Sequence, residues 1–241
     1  MQANPLPGMN YQLLWSDNDI LAVQKPAGLL TIRDGYDPDL PYLSALLEKD
    51  YGRVWVVHRL DRDTSGVMIF ARNAPTHQAL NTQFEQHQVK KVYHAIVIGM
   101  PEWEEISISL PLRVDGDRHH RTVIDHQAGK AAETGAQVLE RLGLFTLVAA
   151  FPHTGYTHQI RAHLSALGFP LLADPLYKSL TPDTQATIEA RKIALRLPIR
   201  RLALHAFQIS FTHPVTQEEI SVQAPYPDDF ASTLDTLAGK L

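Results

Sequence analysis

A series of short apolar runs separated by polar turns sets the limits on what this chain can fold into. Strand-like runs recur at residues 20–23, 54–57, 67–71, 92–98, 106–110, 145–150, 202–211 and 220–222. Helical periodicity is confined to 42–50, 75–87 and 157–167, with further helices expected near 182–192 and 229–237. In the second of these, Asn73 is a candidate cap, Pro75 falls in the first turn, and Leu80 and Phe84 lie one turn apart. A doubly wound parallel fold needs regular strand–helix alternation, which this spacing lacks. The pattern predicts an α+β chain with a mainly antiparallel mixed sheet and flanking helices. Two lobes around a central cleft fit the pattern, although no linker marks a boundary. Residues 1–10 read as a tail and 11–241 as one catalytic domain.

Composition removes several function classes. With 44% apolar and 20% charged residues the chain can bury a core. No apolar run approaches the ~18 residues of a membrane span, and the N-terminal residues show no signal-peptide pattern. The chain has no cysteine, which excludes disulfides, zinc–cysteine sites and thiol nucleophiles. A soluble cytoplasmic protein is expected. The net charge of −4 argues mildly against a nucleic-acid partner. However, Glu218, Glu219, Asp228, Asp229 and Asp235, against Lys240 alone after residue 211, account for all of it. Arg191, Lys192, Arg196, Arg200 and Arg201 cluster without an intervening acid, although such a run is more often a solvated face.

Residues 54–72, VWVVHRLDRDTSGVMIFAR, carry the most chemistry. Two apolar runs flank the polar stretch from His58 to Gly66, and such a stretch beside a glycine is where a scaffold commonly presents reactive groups. From the residues alone, a charged turn between strands is the better description.

HRLD-x-x-TSG resembles the signature of the RluA-type RNA pseudouridine synthases. Further segments resemble that family in the same order: Lys25-Pro26-Ala27-Gly28-Leu29-Leu30, Gln83-Phe84 with Lys90-Lys91-Val92-Tyr93, and Gly129-Lys130-Ala131-Ala132-Glu133-Thr134. Then come Thr154-Gly155-Tyr156-Thr157-His158-Gln159-Ile160-Arg161-Ala162-His163, and finally Leu204-His205-Ala206 with Thr212-His213-Pro214. Each piece is weak, but the ordered set is specific. The sequence departs from the family at Tyr156, where Arg or Lys is usual. Because the KPAG turn begins at Lys25, the resemblance implies the compact catalytic form without a separate S4 domain.

The resemblance implies conversion of uridine to pseudouridine with Asp61 as the catalytic carboxylate. Arg161 would be its basic partner, favouring the anion against desolvation. Tyr93 would stack on the target uracil. Arg59 would fill the space left when the base flips out of the RNA, a task that suits a planar guanidinium. Thr64, His158, Gln159, Lys90 and Lys130 would meet RNA, with Lys91, Arg118 and Arg121 as further phosphate contacts. The implied partner is structured RNA, ribosomal or transfer, bound by a monomer without membrane, metal or cofactor. Neither GxxxxGK[ST] nor a helix-opening GxGxxG occurs in the sequence.

Two rival readings remain. A metal hydrolase would draw on the 12 histidines. But His153, His158 and His163 recur at a spacing that rotates ligands away from the i, i+4 helical face metal pairs use. A binding-only RNA module would tolerate loss of Asp61, Tyr93 or Arg161, and all three are present.

Overall fold

The computed structural model describes residues 10–177 and 185–239. In chain order the elements begin with β1 (Gln12–Ser16), β2 (Ile20–Lys25), α1 (Leu43–Tyr51), β3 (Trp55–Val56), β4 (Ser65–Ala71) and α2 (Ala74–Glu85). There follow β5 (Lys90–Ile98), β6 (Glu105–Ser109), β7 (Leu112–Arg113), β8 (Val123–Ile124), β9 (Glu133–Leu142) and β10 (Phe145–Pro152). The last are α3 (Gln159–Ala166), α4 (Gln185–Ala194), β11 (Leu204–Thr212), β12 (Glu219–Gln223) and α5 (Asp228–Leu237).

The chain resolves into two compact units. The first is built from residues up to Lys91 together with Ala206–Pro225, and the second from Val92–His205 and the segment from Tyr226 on. Both β5 and β11 contain a change of unit, at Lys91/Val92 and at His205/Ala206. These two changes fall inside strands and so have no Gly- or Pro-rich linker for composition to show, whereas a third, at Pro225/Tyr226, lies between β12 and α5.

In the first unit the strand order is β1–β2–β4–β11–β12, with β3 also on β4. β2 and β4 pair antiparallel from Ile20↔Ala71 to Lys25↔Gly66. Every residue of β4 is buried, as expected of a central strand covered on both faces. Its core joins Ile20, Ala22, Val67, Ile69 and Ala71 to Leu80 of α2 and to Ile209, Phe211 and Val222. α2 starts as its sequence predicts: the Asn73 side chain accepts the Thr76 N–H at 2.9 Å, with Pro75 in the first turn.

In the second unit the order is β5–β10–β9–β6, antiparallel throughout. β7 and β8 form a separate antiparallel pair. Ala95, Val97, Val148 and Ala150 pack on Ile160 and Leu164 of α3. Another cluster joins Ile96, Phe145 and Leu147 to Ala190 of α4 and Phe230 of α5. The mainly antiparallel α+β expectation is met.

β9, the longest strand among the described residues, is not announced by the sequence. Its residues ETGAQVLERL mix good helix formers with charges. Pairing on both sides, with β10 and β6, overrides that local preference. β1, β7 and β8 were also passed over, the last two being too short to show a period. Of the helix expected near 182–192, the part before Gln185 lies outside the described residues, as do residues 1–9 of the expected tail.

Candidate active site

The polar stretch after β3 is held by side chains from distant parts of the first unit. Beyond Val56 the β3–β4 ladder stops, and the His58 ring takes over: its Nε2 accepts the Ile69 N–H at 3.1 Å. The ring stacks on Phe84, with centroids 4.9 Å apart. Desolvation, helped by the positive charge of Lys91, pushes the His58 pKa down to about 3. At neutral pH this imidazole is therefore a neutral acceptor that fixes where the loop departs.

Leu60 is pinned at both ends of its backbone. Its N–H donates to Thr31 Oγ1 at 3.3 Å, and its carbonyl accepts that hydroxyl at 3.0 Å. The Arg62 carbonyl accepts the Gly28 N–H at 2.8 Å and the Lys25 ammonium at 3.0 Å. Asp61, half-buried, lies between these two pinned residues. The Thr64 N–H closes a tight turn onto the Asp61 carbonyl at 3.1 Å.

Lys25 is the most unusual residue of this frame. It is fully buried (0% exposed), and its Nζ donates to the carbonyls of Pro26, Leu29 and Arg62. An ammonium has three N–H groups, and each has an acceptor here. The sequence marked this lysine only as part of a turn motif.

Other motif segments meet in the same unit. Gly66 has φ 126°, and a Cβ there would sit 2.2 Å from the Ala206 carbonyl oxygen, so TSG and LHA require each other's close approach. The Gln83 amide donates to the Thr212 carbonyl at 2.7 Å and accepts the Thr212 N–H at 3.0 Å.

In the second unit the HQIRAH segment opens α3. Gln159 is buried and uses its whole amide: Oε1 accepts from Thr154 Oγ1 and the Tyr156 N–H, while Nε2 donates to the Glu133 carbonyl and Thr134 Oγ1. These four bonds engage the whole side-chain amide, so Gln159 fastens the loop that precedes α3 to β9. Thr64, expected like Gln159 to meet RNA, is also buried. Tyr156, standing where the family has a basic residue, packs with Leu112, Ala132, Ala162 and Tyr177.

Arg161 is 4% exposed and forms a two-point ion pair with Asp174: Nε to Oδ2 at 2.8 Å and Nη2 to Oδ1 at 2.7 Å. Its guanidinium carbon lies 4.9 Å from the centre of the Tyr177 ring. His158, with left-handed φ 57°, precedes α3 and places Nδ1 3.3 Å from the Tyr177 hydroxyl. Tyr93 is half-buried at the start of β5, opposite Ala150 of β10, and packs against the apolar cluster that includes Ile160. Asp174 and Tyr177 were missed because Ala173-Asp174-Pro175 reads as an ordinary turn.

The cations expected to meet phosphate differ in freedom. Lys90 pairs with Glu219 at 3.0 Å on the surface, and Arg121 pairs with Asp117 at 2.7 Å. Lys130 is exposed, and its backbone bridges to Leu112. Arg59 is exposed, and among the described residues it forms no ion pair with Asp63.

Asp17, Asp19 and His213 come together. His213 Nε2 bonds Asp17 Oδ2 at 2.8 Å, and its Nδ1 accepts the N–H groups of Val215 and Thr216. Asp19 Oδ1 accepts from Asn73. These atoms face protein donors, so the cluster acts as a joint between two turns. His163 is likewise engaged at both nitrogens, by Thr134 Oγ1 and the Leu110 carbonyl.

A family model described as RNA pseudouridylate synthase matches residues 19–166. The chain is 36% identical to the ribosomal large subunit pseudouridine synthase D of Nitrosomonas europaea, over 98% of this chain and 67% of that protein. It is 34% identical to the dual-specificity RNA pseudouridine synthase RluA of Vibrio vulnificus, over 90% of this chain and 85% of that protein. Among solved structures, human RNA pseudouridylate synthase domain containing 4 matches with a TM-score of 0.75 at 26% identity, covering 94% of this chain and 92% of that one. The chain belongs to the RNA pseudouridylate synthase family, whose members are isomerases acting on RNA. It spans 62–67% of the length of the synthase D relatives it matches from Nitrosomonas and Neisseria.

Proposed function

We propose that this chain isomerises particular uridines of ribosomal or transfer RNA to pseudouridine, as a cytoplasmic monomer without metal or cofactor. The observation that carries the reading is the placement of Asp61 between two residues pinned by the KPAG turn and Thr31, inside the family's HRLD segment. A carboxylate held by its backbone on both sides loses little freedom when it reacts.

In this reaction the bond from uracil N1 to the sugar breaks, a bond from C5 to the same carbon forms, and the C5 proton is replaced by one on N1. The reaction is redox-neutral. Asp61 supplies the anionic nucleophile or base, Arg161 its counter-charge, and Tyr93 a ring for the detached uracil to stack on. Lys130 and His158 are proposed to meet the RNA around the target. Purified protein incubated with bulk RNA from cells lacking the gene, in EDTA and without nucleotide, should produce pseudouridine at discrete positions. Activity lost to chelation and restored by a transition metal would overturn the metal-free part. No new pseudouridine under any condition would overturn the function.

Arg59 is proposed to occupy the gap left by the flipped base, and its exposure and freedom from an ion pair with Asp63 support that role. Unstacking a base costs roughly a few kcal/mol, which this insertion would offset. Arg59→Ala should therefore slow turnover on folded RNA and weaken the signal of a 2-aminopurine beside the target, with bulk affinity largely kept. Equal signals and equal rates in both proteins would remove Arg59 from the mechanism.

A further inference from the structure

We propose that Asp174 is a positioning residue for the reaction, holding the Arg161 guanidinium in one plane so that the cation is presented already oriented. The proposal rests on the reading above that Arg161 serves the reacting carboxylate. Within the second unit, three restraints act on this one side chain. Asp174 grips its Nε–Nη2 edge with two bonds, at 2.8 and 2.7 Å. The Tyr177 ring covers it at 4.9 Å. The opening turn of α3 carries its backbone.

The restraints are themselves restrained. Asp174 Oδ1 also accepts the N–H groups of Leu176 at 2.8 Å and Tyr177 at 3.0 Å, so the carboxylate is aimed by its own loop. The Tyr177 hydroxyl accepts the Thr122 N–H at 2.8 Å and donates to the Thr122 carbonyl at 3.0 Å. Thr122 in turn donates from Oγ1 to the Thr157 carbonyl at 2.6 Å, beside the start of α3.

Stability is a poor explanation for this arrangement. Desolvating both charges of an ion pair offsets much of their attraction, and an apolar pair of similar volume often serves as well. The two-point fork supplies direction, because a planar guanidinium gripped on one edge cannot rotate. That fork uses two of its five N–H groups, so it is compatible with Arg161 also serving a second carboxylate.

The test compares wild type, Asp174→Asn, Arg161→Ala and the double variant in single-turnover assays. The substrate is bulk ribosomal and transfer RNA lacking the modification, and RNA affinity is measured in parallel. Asn keeps the acceptor for the Leu176 and Tyr177 N–H groups but turns an amide donor toward Arg161. Asp174→Asn should lower the rate about 10- to 100-fold with RNA affinity unchanged. The double variant should be no slower than Arg161→Ala. Millimolar guanidinium, against a sodium chloride control, should restore part of the rate in Arg161→Ala and none in the double variant, because only the former keeps the carboxylate that seats the ion.

Multiplying losses, equal rescue in both backgrounds, or lost affinity at an intact rate would overturn the proposal. An active Asp174→Asn beside an inactive Arg161→Ala would overturn the positioning alone. A wild-type rate in Arg161→Ala would overturn the role of Arg161 and the proposal with it. Should Asp174→Asn fail to fold, Asp174→Glu keeps the charge and moves the carboxylate by one methylene. That variant should lose rate at temperatures where its melting curve shows it folded, and a wild-type rate from it would overturn the proposal.

Discussion

Asp61→Asn should lower the single-turnover rate of pseudouridine formation by roughly 10²–10⁴-fold, the range one positioned acid–base or nucleophilic group supplies. Fold and RNA affinity should be retained. The substitution keeps size and shape, and the frame around it is backbone and neighbouring side chains: Thr31 on Leu60, and Gly28 and Lys25 on Arg62. None of those contacts uses the Asp61 carboxylate. Asparagine cannot act as an anionic nucleophile or base, so the loss should fall on the chemical step. Rates across a range of enzyme concentrations, together with a melting curve and an RNA-binding isotherm, make the check. Turnover near the wild-type rate would sink the assignment of Asp61.

Lys25→Met should sharply lower the stability of the first unit. Methionine approximates the length of the side chain but leaves the buried Leu29 carbonyl and the half-buried Pro26 carbonyl without the ammonium that served them. The Arg62 carbonyl keeps only its bond from Gly28. Each orphaned buried acceptor costs about 1–3 kcal/mol, and relief from burying a charge returns part of that. A net loss of about 2–4 kcal/mol is expected, and each kcal/mol should lower Tm by about 2–4 °C in a chain of this size. Activity measured well below the new Tm should also fall, because the clamp on Arg62 is loosened beside Asp61. Lys25→Met with an unchanged Tm and full activity would show that the three carbonyls find other donors and that the clamp is dispensable.

The legible parts of the fold were those where local chemistry and tertiary demand agree. Asn73 and Pro75 announced α2, and the Asn73 cap is made as expected. The run from Val67 to Ala71 lies in the fully buried β4. Where the two disagree, the sequence misleads. β9 is locally helix-like and becomes a strand because β10 and β6 supply its hydrogen bonds. No local pattern announces that the Gln159 amide is engaged by Thr154, Tyr156, Glu133 and Thr134.

The sequence by itself determined the class of this protein. Its ordered motifs, from KPAG through HRLD and HQIRAH to THP, are short strings of reactive and turn-forming residues whose order survives without coordinates. The tertiary structure alone decided what each residue touches. Lys25 lies 37 positions from Arg62, Gln83 lies 129 from Thr212, and Asp17 lies 196 from His213. Nothing in composition or period encodes such pairings, because they arise only when burial brings unlike polar groups together out of water and obliges each donor to find an acceptor. Asp174 shows the same limit at the proposed site. One carboxylate among 26 acidic residues becomes singular only when α3 and the loop that follows it bury it against Arg161.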